Sequence, residues 1–389
     1  MSIKGQAYIV GAYEHPTRKA PDKSIAQLHA ECALGALEDA GLTKDDIDGY
    51  ICAGDAPGLG PLAMLDYMNL RVRFFDSTDV GGSSYIAHVS HAAMAIAMGR
   101  ANVVLITLAG RPRSEGQATG TAPRAGNPGI PDSPFETHFG PVTANVYAMC
   151  AMRHMHEYGT TSEQLAWIKV AASHHAQYNE HAMLRDVVTV QDVVNSPMVS
   201  DPLHRLDCCV ISDGGGALIV AKPEIARKLK RPLVKVIGGG EAPKGQLGGE
   251  VDLTYSGARW SGPAAFAEAG VKPADIKYAS IYDSFTITVL MQIEDLGFCE
   301  KGKGGAFVSD GNLIAGVGKL PFNTDGGGLC NNHPANRGGI TKVIEAVRQL
   351  RGEAHPKVQV PHCDLAIAHG TGGLLGSRHG AATVIMERE

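Results

Sequence analysis

The stretch "DVGGSSYIAHVSHAAMAIAMGRANVVLI", Asp79 to Ile106, has the layout of a site that presents a nucleophile: a Gly/Ser turn, a buried helix, then a buried strand. The turn holds Gly82, Ser83 and Ser84 and no cysteine. Without a thiolate, covalent chemistry would fall to a serine hydroxyl, which attacks only when a strong base takes its proton. Ser83 and Ser84 are expected to cap the helix that starts there, whose free N–H groups and positive end suit an anionic oxygen. His88 and His91 stand one helical turn apart, a spacing compatible with a metal, but no third ligand is evident. His154, His156 and the His174–His175 pair are weaker signals of the same kind, and no metal is expected. Arg111, Arg113 and Lys244 are the basic residues considered for phosphate contacts, although exposed basic side chains are usually just solvated.

The 389 residues suggest two domains or one large duplicated unit. With 44% hydrophobic and 19% charged residues the chain can build a sizeable core, and 48 glycines imply many tight turns and close backbone approaches. A net charge of −5 without a basic block gives no nucleic-acid footprint. No apolar run approaches the roughly 18 residues that a membrane helix needs, and the N-terminus lacks a secretory pattern. Eight cysteines, two of them the adjacent Cys208 and Cys209, read as reduced and mostly buried thiols in a cytoplasmic protein.

The elements that would position such a site recur twice. In the first half, "AYIVGA" is expected as a strand and "SIAQLHAECALGALEDAG" as a helix from Ser24 to Gly41. "IDGYICAG" and "ANVVLITLAG" are strands around the buried helix from Ser84 to Met98. In the second half, "PLVKVIGGG", "IKYASIYDSF", "CDLAIAHG" and "GAATVIMERE" are strands. "GPAAFAEAG" closes one helix and "NRGGITKVIEAVRQLRG" forms another. "ALEDAGLTKDDI" from Ala36 aligns without gaps on "AFAEAGVKPADI" from Ala265. A duplicated β-α-β-α-β unit follows, with halves at 1–225 and 226–389. Residues of about 111–210 interrupt the pattern. Their Gly/Pro-rich start, "RPRSEGQATGTAPRAGNPGIPDSPFETHFGP", reads equally as a surface excursion or as a lid or tunnel wall. The helix in "TSEQLAWIKVAASHHAQYN" follows, with Thr161 and Glu163 at its start.

With these features the chain resembles the thiolase superfamily, in particular its sterol-carrier-protein-type branch with the bacterial lipid-transfer-protein homologues. The resemblance rests on the duplicated halves and on "YGTTSEQLAWIKVAASHHAQYN", "SDPLHRLDCCVISDGGGALIV", "NTDGGGLCNNHPANRGG" and "HGTGGLLG", in this order. It implies the thiolase fold, an α/β arrangement in α-β-α-β-α layers with an inserted loop domain. Counted back from Gly99, the family's nucleophilic cysteine falls on Gly82, with Ser83 and Ser84 beside it. Tyr282, in "YDSF", stands where thiolases carry Asn and the sterol-carrier type carries His, a position that helps hold the water of an oxyanion hole. His333 matches the Gly-His-Pro motif. His369 takes the place of the second cysteine, the acid/base of thiolases, and reads equally as that proton carrier or as a loop histidine. Asp283, Asn331 and Gly372 accompany them as oxyanion or structural positions.

The resemblance further implies a coenzyme A thioester as substrate, no bound cofactor, a homodimer built through sheet edges of the first half, and a small OB-fold and zinc-ribbon partner. Cysteine-less members of the branch act as aldolases on β-hydroxyacyl-CoA, for instance in steroid side-chain degradation. The expected activity is therefore retro-aldol cleavage, with Tyr282 as base and His333 stabilising the enolate. Two alternatives stay open: an acyltransferase using Ser83, Ser84 or another cysteine, and a non-catalytic acyl-CoA or lipid carrier.

Overall fold

A computed structural model describes residues 2–118, 137–139, 142–245, 250–334 and 338–389. Most of the Gly/Pro-rich stretch that begins the insertion lies outside the described residues. Eleven strands are described: β1 (Ala7–Glu14), β2 (Gly49–Ile51), β3 (Phe74–Asp76), β4 (Val103–Gly110), β5 (Met198–Ser200), β6 (Leu203–His204), β7 (Gly214–Ala221), β8 (Val234–Lys244), β9 (Tyr278–Ile281), β10 (Leu365–Gly373) and β11 (His379–Arg388). Apart from the β5–β6 hairpin they form one mixed sheet in the order β3-β2-β4-β7-β1-β8-β11-β10-β9.

The internal repeat is visible in that order. The seam between halves is β1 with β8, held by only three residue pairs from Ala7↔Val236 to Ile9↔Val234. Outward from the seam, β1-β7-β4-β2 on one side answers β8-β11-β10-β9 on the other, with matching antiparallel and parallel pairings. The helices repeat as well. Helix α1 (Ile25–Ala40) packs on β1, β4 and β7, while its counterpart Ala258–Ala269 packs on β8 and β11. Helices Ser84–Ala97 and Gly339–Arg351 touch strands of both halves and each other, which places them in the middle of five α-β-α-β-α layers. With Pro61–Met68 as α2, these are α3 (Ser84–Ala97), α6 (Ala258–Ala269) and α8 (Gly339–Arg351). The inserted helices Thr143–Tyr158 and Ser162–Ala176 are α4 and α5, and α7 is Thr286–Asp295.

Local chemistry explains why the two aligned sequences fold alike. Ser24 caps α1 by accepting from Gln27 N at 3.0 Å, and Gly41 ends it in the left-handed region at φ 68°, as Gly270 ends α6 at φ 74°. Asp39 accepts from Ala12 N and Glu268, its aligned partner, from Gly239 N, each at 2.9 Å, so an acid ties each helix to its strand. Helix α5 starts as expected, with Thr161 as its cap and Glu163 in the first turn, and Gln164 is the reciprocal partner of Thr161. Among the described residues no helix is long and apolar enough to cross a membrane. All eight cysteines are free thiols, six of them buried.

Burial also sets a pH limit on this fold. It pushes the imidazoles of His88, His175 and His333 down to about 4 and those of His369 and His379 to about 3. A histidine with a lowered folded pKa binds fewer protons folded than unfolded, so its contribution is complete above about pH 6.5 and is lost as pH falls below that. Each such group costs at most about 1.4 kcal/mol per pH unit in that window. Thermal unfolding followed at pH 7, 6 and 5 should show a falling midpoint; a constant midpoint would contradict buried neutral imidazoles.

Candidate active site

A cavity of about 740 Å³ opens where the Gly82 turn, the β9–α7 link, the loop before α8 and the β10–β11 connection meet. Of the residues singled out above, Gly82, Tyr282, His333 and Gly372 line it, as does Lys244. Tyr282 is the first residue after β9. Its N–H donates to the His369 carbonyl at 3.0 Å and its own carbonyl accepts from Gln292 Nε2 at 2.8 Å, which fixes the ring's origin. The phenol oxygen lies 2.9 Å from His333 Nε2, with the rings edge to face. Burial, then the neighbouring Cys209, hold the phenol well above its ordinary value of 10, and the backbone N–H of Gly338 opposes them weakly. Burial likewise pushes His333 down to about 4 against the attraction of Asp283. At neutral pH the pair is thus a phenol and a neutral imidazole with one proton between Oη and Nε2.

The ring of Tyr282 also explains the glycine at position 82. A Cβ built on Gly82 would lie 2.4 Å from Tyr282 Cζ and 2.3 Å from the Thr371 carbonyl. The space of a side chain on the turn is therefore filled by the tyrosine. Beside it the turn packs backbone to backbone on the end of β10: a Cβ at Gly372 would meet the Val80 carbonyl at 1.6 Å. Gly339, which opens α8, faces the Gly82 carbonyl so closely that a Cβ there would lie 2.2 Å from it. Helices α3 and α8 thus both begin at this turn.

Ser83 and Ser84 are buried and point away from the cavity. Ser83 Oγ donates to the Val80 carbonyl at 2.8 Å, and Ser84 Oγ donates to the Gly81 carbonyl at 2.7 Å while accepting from Val80 N at 2.9 Å. They fasten the turn rather than capping α3 through their side chains. Asp283 accepts from Gly328 N and Leu329 N at 2.8 and 3.1 Å and pairs with the Lys342 ammonium at 2.7 Å, so it braces the loop that carries His333. Asn331 belongs to a buried network with Glu14, Arg18 and Asp325 outside the cavity wall. His369 is fully buried with Nδ1 2.8 Å from Thr383 Oγ1, and its neighbours Thr371 and Gly372 line the cavity in its stead.

The phosphate candidates are otherwise engaged. Lys244 Nζ donates to the carbonyls of Asp252, Tyr255 and Leu375. Arg111 and Arg113 reach the carbonyls of Pro21 and Arg18. The helical histidines have protein partners: His88 the Thr78 carbonyl, His91 both Asp76 and Glu241, His154 both Thr160 and Glu294. Among the described residues no three His, Cys, Asp or Glu side chains are grouped to hold a metal ion. The cavity also holds residues that the sequence reading did not single out for it. Tyr147 from α4 stacks on Phe285 at 4.4 Å and 28°, Cys209 carries a thiol that burial keeps protonated, and His379 opens β11. No spacing in the chain marks these three; they come from segments far apart in sequence.

The arrangement offers a proton-sharing phenol–imidazole pair beside a turn where two helices begin, and the turn itself presents no side chain to attack with. Residues 239–388 match a family described as thiolase C-terminal domain-like. The chain is 35% identical to the 17-hydroxy-3-oxo-4-pregnene-20-carboxyl-CoA lyase of Mycobacterium tuberculosis, over 95% of this chain and 97% of that protein. It is 33% identical to an acetyl-CoA acetyltransferase of Methanothermobacter thermautotrophicus, over 92% and 93% respectively. A solved structure titled Ltp2-ChsH2(DUF35) aldolase superposes with a TM-score of 0.88 at 31% identity, covering 99% of this chain and 98% of its own.

Proposed function

The chain belongs to the thiolase superfamily, and on that premise we propose that it is a carbon–carbon lyase that cleaves a β-hydroxyacyl-coenzyme A by a retro-aldol reaction. Its relatives include a lyase and an acetyltransferase, so membership alone does not choose between them. The observation that carries the choice is the Tyr282 ring, which fills the space above Gly82 and shares a proton with His333. An acyl transfer through Ser83 or Ser84 has no support in their geometry, because both hydroxyls are committed to backbone carbonyls.

In this reading Tyr282 Oη accepts the β-hydroxyl proton while the proton between Oη and Nε2 passes to His333. The Cα–Cβ bond breaks, its electron pair moves onto the thioester carbonyl as an enolate, and Cβ becomes an aldehyde or ketone. The enolate then takes the proton back at Cα, which restores phenol and imidazole and releases the shorter acyl-CoA. The N–H of Gly338 offers the Tyr282 oxygen a further hydrogen bond during this double transfer. His369 supports the wall through Thr383 and does not itself carry the proton.

The steroid named by the relatives, and the flat Tyr147–Phe285 wall, support an acyl group of the steroid or lipid side-chain type. The working assembly contains a second copy paired through the open edge of β3, where Phe75 is exposed, and a small DUF35-type partner of OB fold and zinc ribbon.

Given a β-hydroxyacyl-CoA, the protein with its partner should release a shortened acyl-CoA and a carbonyl product in equal amounts, with no acyl adduct in its intact mass. Ser83→Ala and Ser84→Ala should turn over within about threefold of the native rate, and lose about 1 kcal/mol of stability for the turn's hydrogen bonds. An adduct mapping to either serine would replace the lyase by an acyltransferase.

A further inference from the structure

A second imidazole on the cavity wall has no task in the reaction described above. His379 pairs across the sheet with Gly373 on one side and Lys244 on the other. It lines the cavity and is 3% exposed, and among the described residues neither of its ring nitrogens meets a partner at full hydrogen-bonding geometry, the backbone of Gly372 and Leu374 making only weak contacts with the ring. Leaving a buried polar ring unpaired costs about 1–3 kcal/mol, a cost that a ligand bringing the missing partner recovers. Lys244 is not that partner, since its ammonium is taken up by three carbonyls. Burial, with the Lys244 charge beside it, keeps the ring neutral down to about pH 3 against a weaker pull from the Gly372 and Leu374 backbone.

The ring also sits next to the reacting turn. Gly373 continues into Gly372, and a Cβ on Gly81 would lie 2.8 Å from Gly372 Cα. A walk along the wall therefore passes from Tyr282 over Gly82 and Gly81 to Gly372, Gly373 and His379. A neutral imidazole offers one donor and one acceptor, the same pair that an amide presents. A coenzyme A thioester with its carbonyl near Tyr282 carries two amides along its pantetheine arm.

We infer that His379 contacts the substrate and hydrogen-bonds an amide of the pantetheine arm of the bound acyl-coenzyme A. The inference rests on the coenzyme A reading of this site, not on the cleavage step. Calorimetric titration of the full chain with acetyl-CoA tests it. His379→Leu should weaken binding about five- to tenfold, the loss of one or two neutral hydrogen bonds. His379→Gln, which keeps a donor and an acceptor, should bind within about threefold of native. The same variants should raise KM for a β-hydroxyacyl-CoA and leave kcat nearly unchanged, with no loss of thermal stability in His379→Leu.

Unchanged acetyl-CoA affinity in His379→Leu would overturn the inference. So would equal weakening in both variants accompanied by equal loss of thermal stability, which marks a structural residue. If the native chain binds no acetyl-CoA, the coenzyme A reading falls with it. If acetyl-CoA binding depends on His379 and no β-hydroxyacyl-CoA is cleaved, the lyase reading falls and His379 keeps its role.

Discussion

Tyr282→Phe is expected to lower kcat by about 10²–10⁴-fold, the range that a positioned acid–base group contributes, while acyl-CoA binding and folding persist. The substitution removes one oxygen from a ring that is 4% exposed and held by backbone bonds to His369 and Gln292. The filler above Gly82 stays in place, so the cavity keeps its shape. What disappears is the atom proposed to take the β-hydroxyl proton, and with it the bridge to His333. A neutral His333 whose Nε2 lacks its phenol cannot reach the same proton through a ring that carries no hydroxyl. The decisive measurement is single-turnover cleavage of a β-hydroxyacyl-CoA alongside calorimetric binding of acetyl-CoA. Native turnover by the variant would remove Tyr282 from the chemistry. Loss of binding together with turnover would mean that the hydroxyl orients the substrate instead.

The second large effect is at Gly82. Gly82→Cys places a Cβ 2.4 Å from Tyr282 Cζ and 2.3 Å from a backbone carbonyl, well inside the distances that real Cβ atoms tolerate. Overpacking of this kind costs about 1–3 kcal/mol, and here the least constrained atoms to move are those of the Tyr282 ring. Cleavage should therefore fall at least about 100-fold, through loss of the Tyr282–His333 contact. Pairing Gly82→Cys with Tyr282→Ala opens the space again and sets a thiol at the start of α3 beside His333, a setting that favours thiolate. Incubated with acetoacetyl-CoA, the double variant should gain an acetyl group mapping to residue 82, and the single variant should gain less. Normal cleavage by Gly82→Cys alone would show that the ring and the turn do not compete for this volume.

Much of the scaffold can be read from the chain because its signals are local. Ser24 and Gly41 mark both ends of α1, and the alignment of Ala36–Ile47 on Ala265–Ile276 anticipates the matching caps and the matching Asp39 and Glu268 ties. β7 was harder to see because "GGGALIVA" reads first as a glycine motif, and β3 is only three residues long. Within the site, family motifs pointed to Tyr282, His333 and Gly82, and these the fold brings to one cavity. They point to His369 and do not mark His379, the one of the two that lines the cavity. Both lie on adjacent strands, and which ring meets the cavity depends on how β10 and β11 bend around the Gly82 turn, a contact between segments nearly 300 residues apart. The direction of the Ser83 and Ser84 hydroxyls was equally out of reach, because it depends on the short 3₁₀ turn at Gly81–Ser83 that precedes α3.

The duplication has an electrical consequence. Two copies of one unit, joined through the β1–β8 seam, aim the starts of α3 and α8 at a single point, where Gly339 nearly touches the Gly82 carbonyl. Each helix start carries about half a positive charge, so the ancestral symmetry concentrates two like poles there. A transient anion is favoured at such a focus. The scaffold in this way restricts which intermediates can form before any side chain is chosen, and sequence drift at the turn changes the reaction more easily than it changes the sign of the charge the reaction passes through.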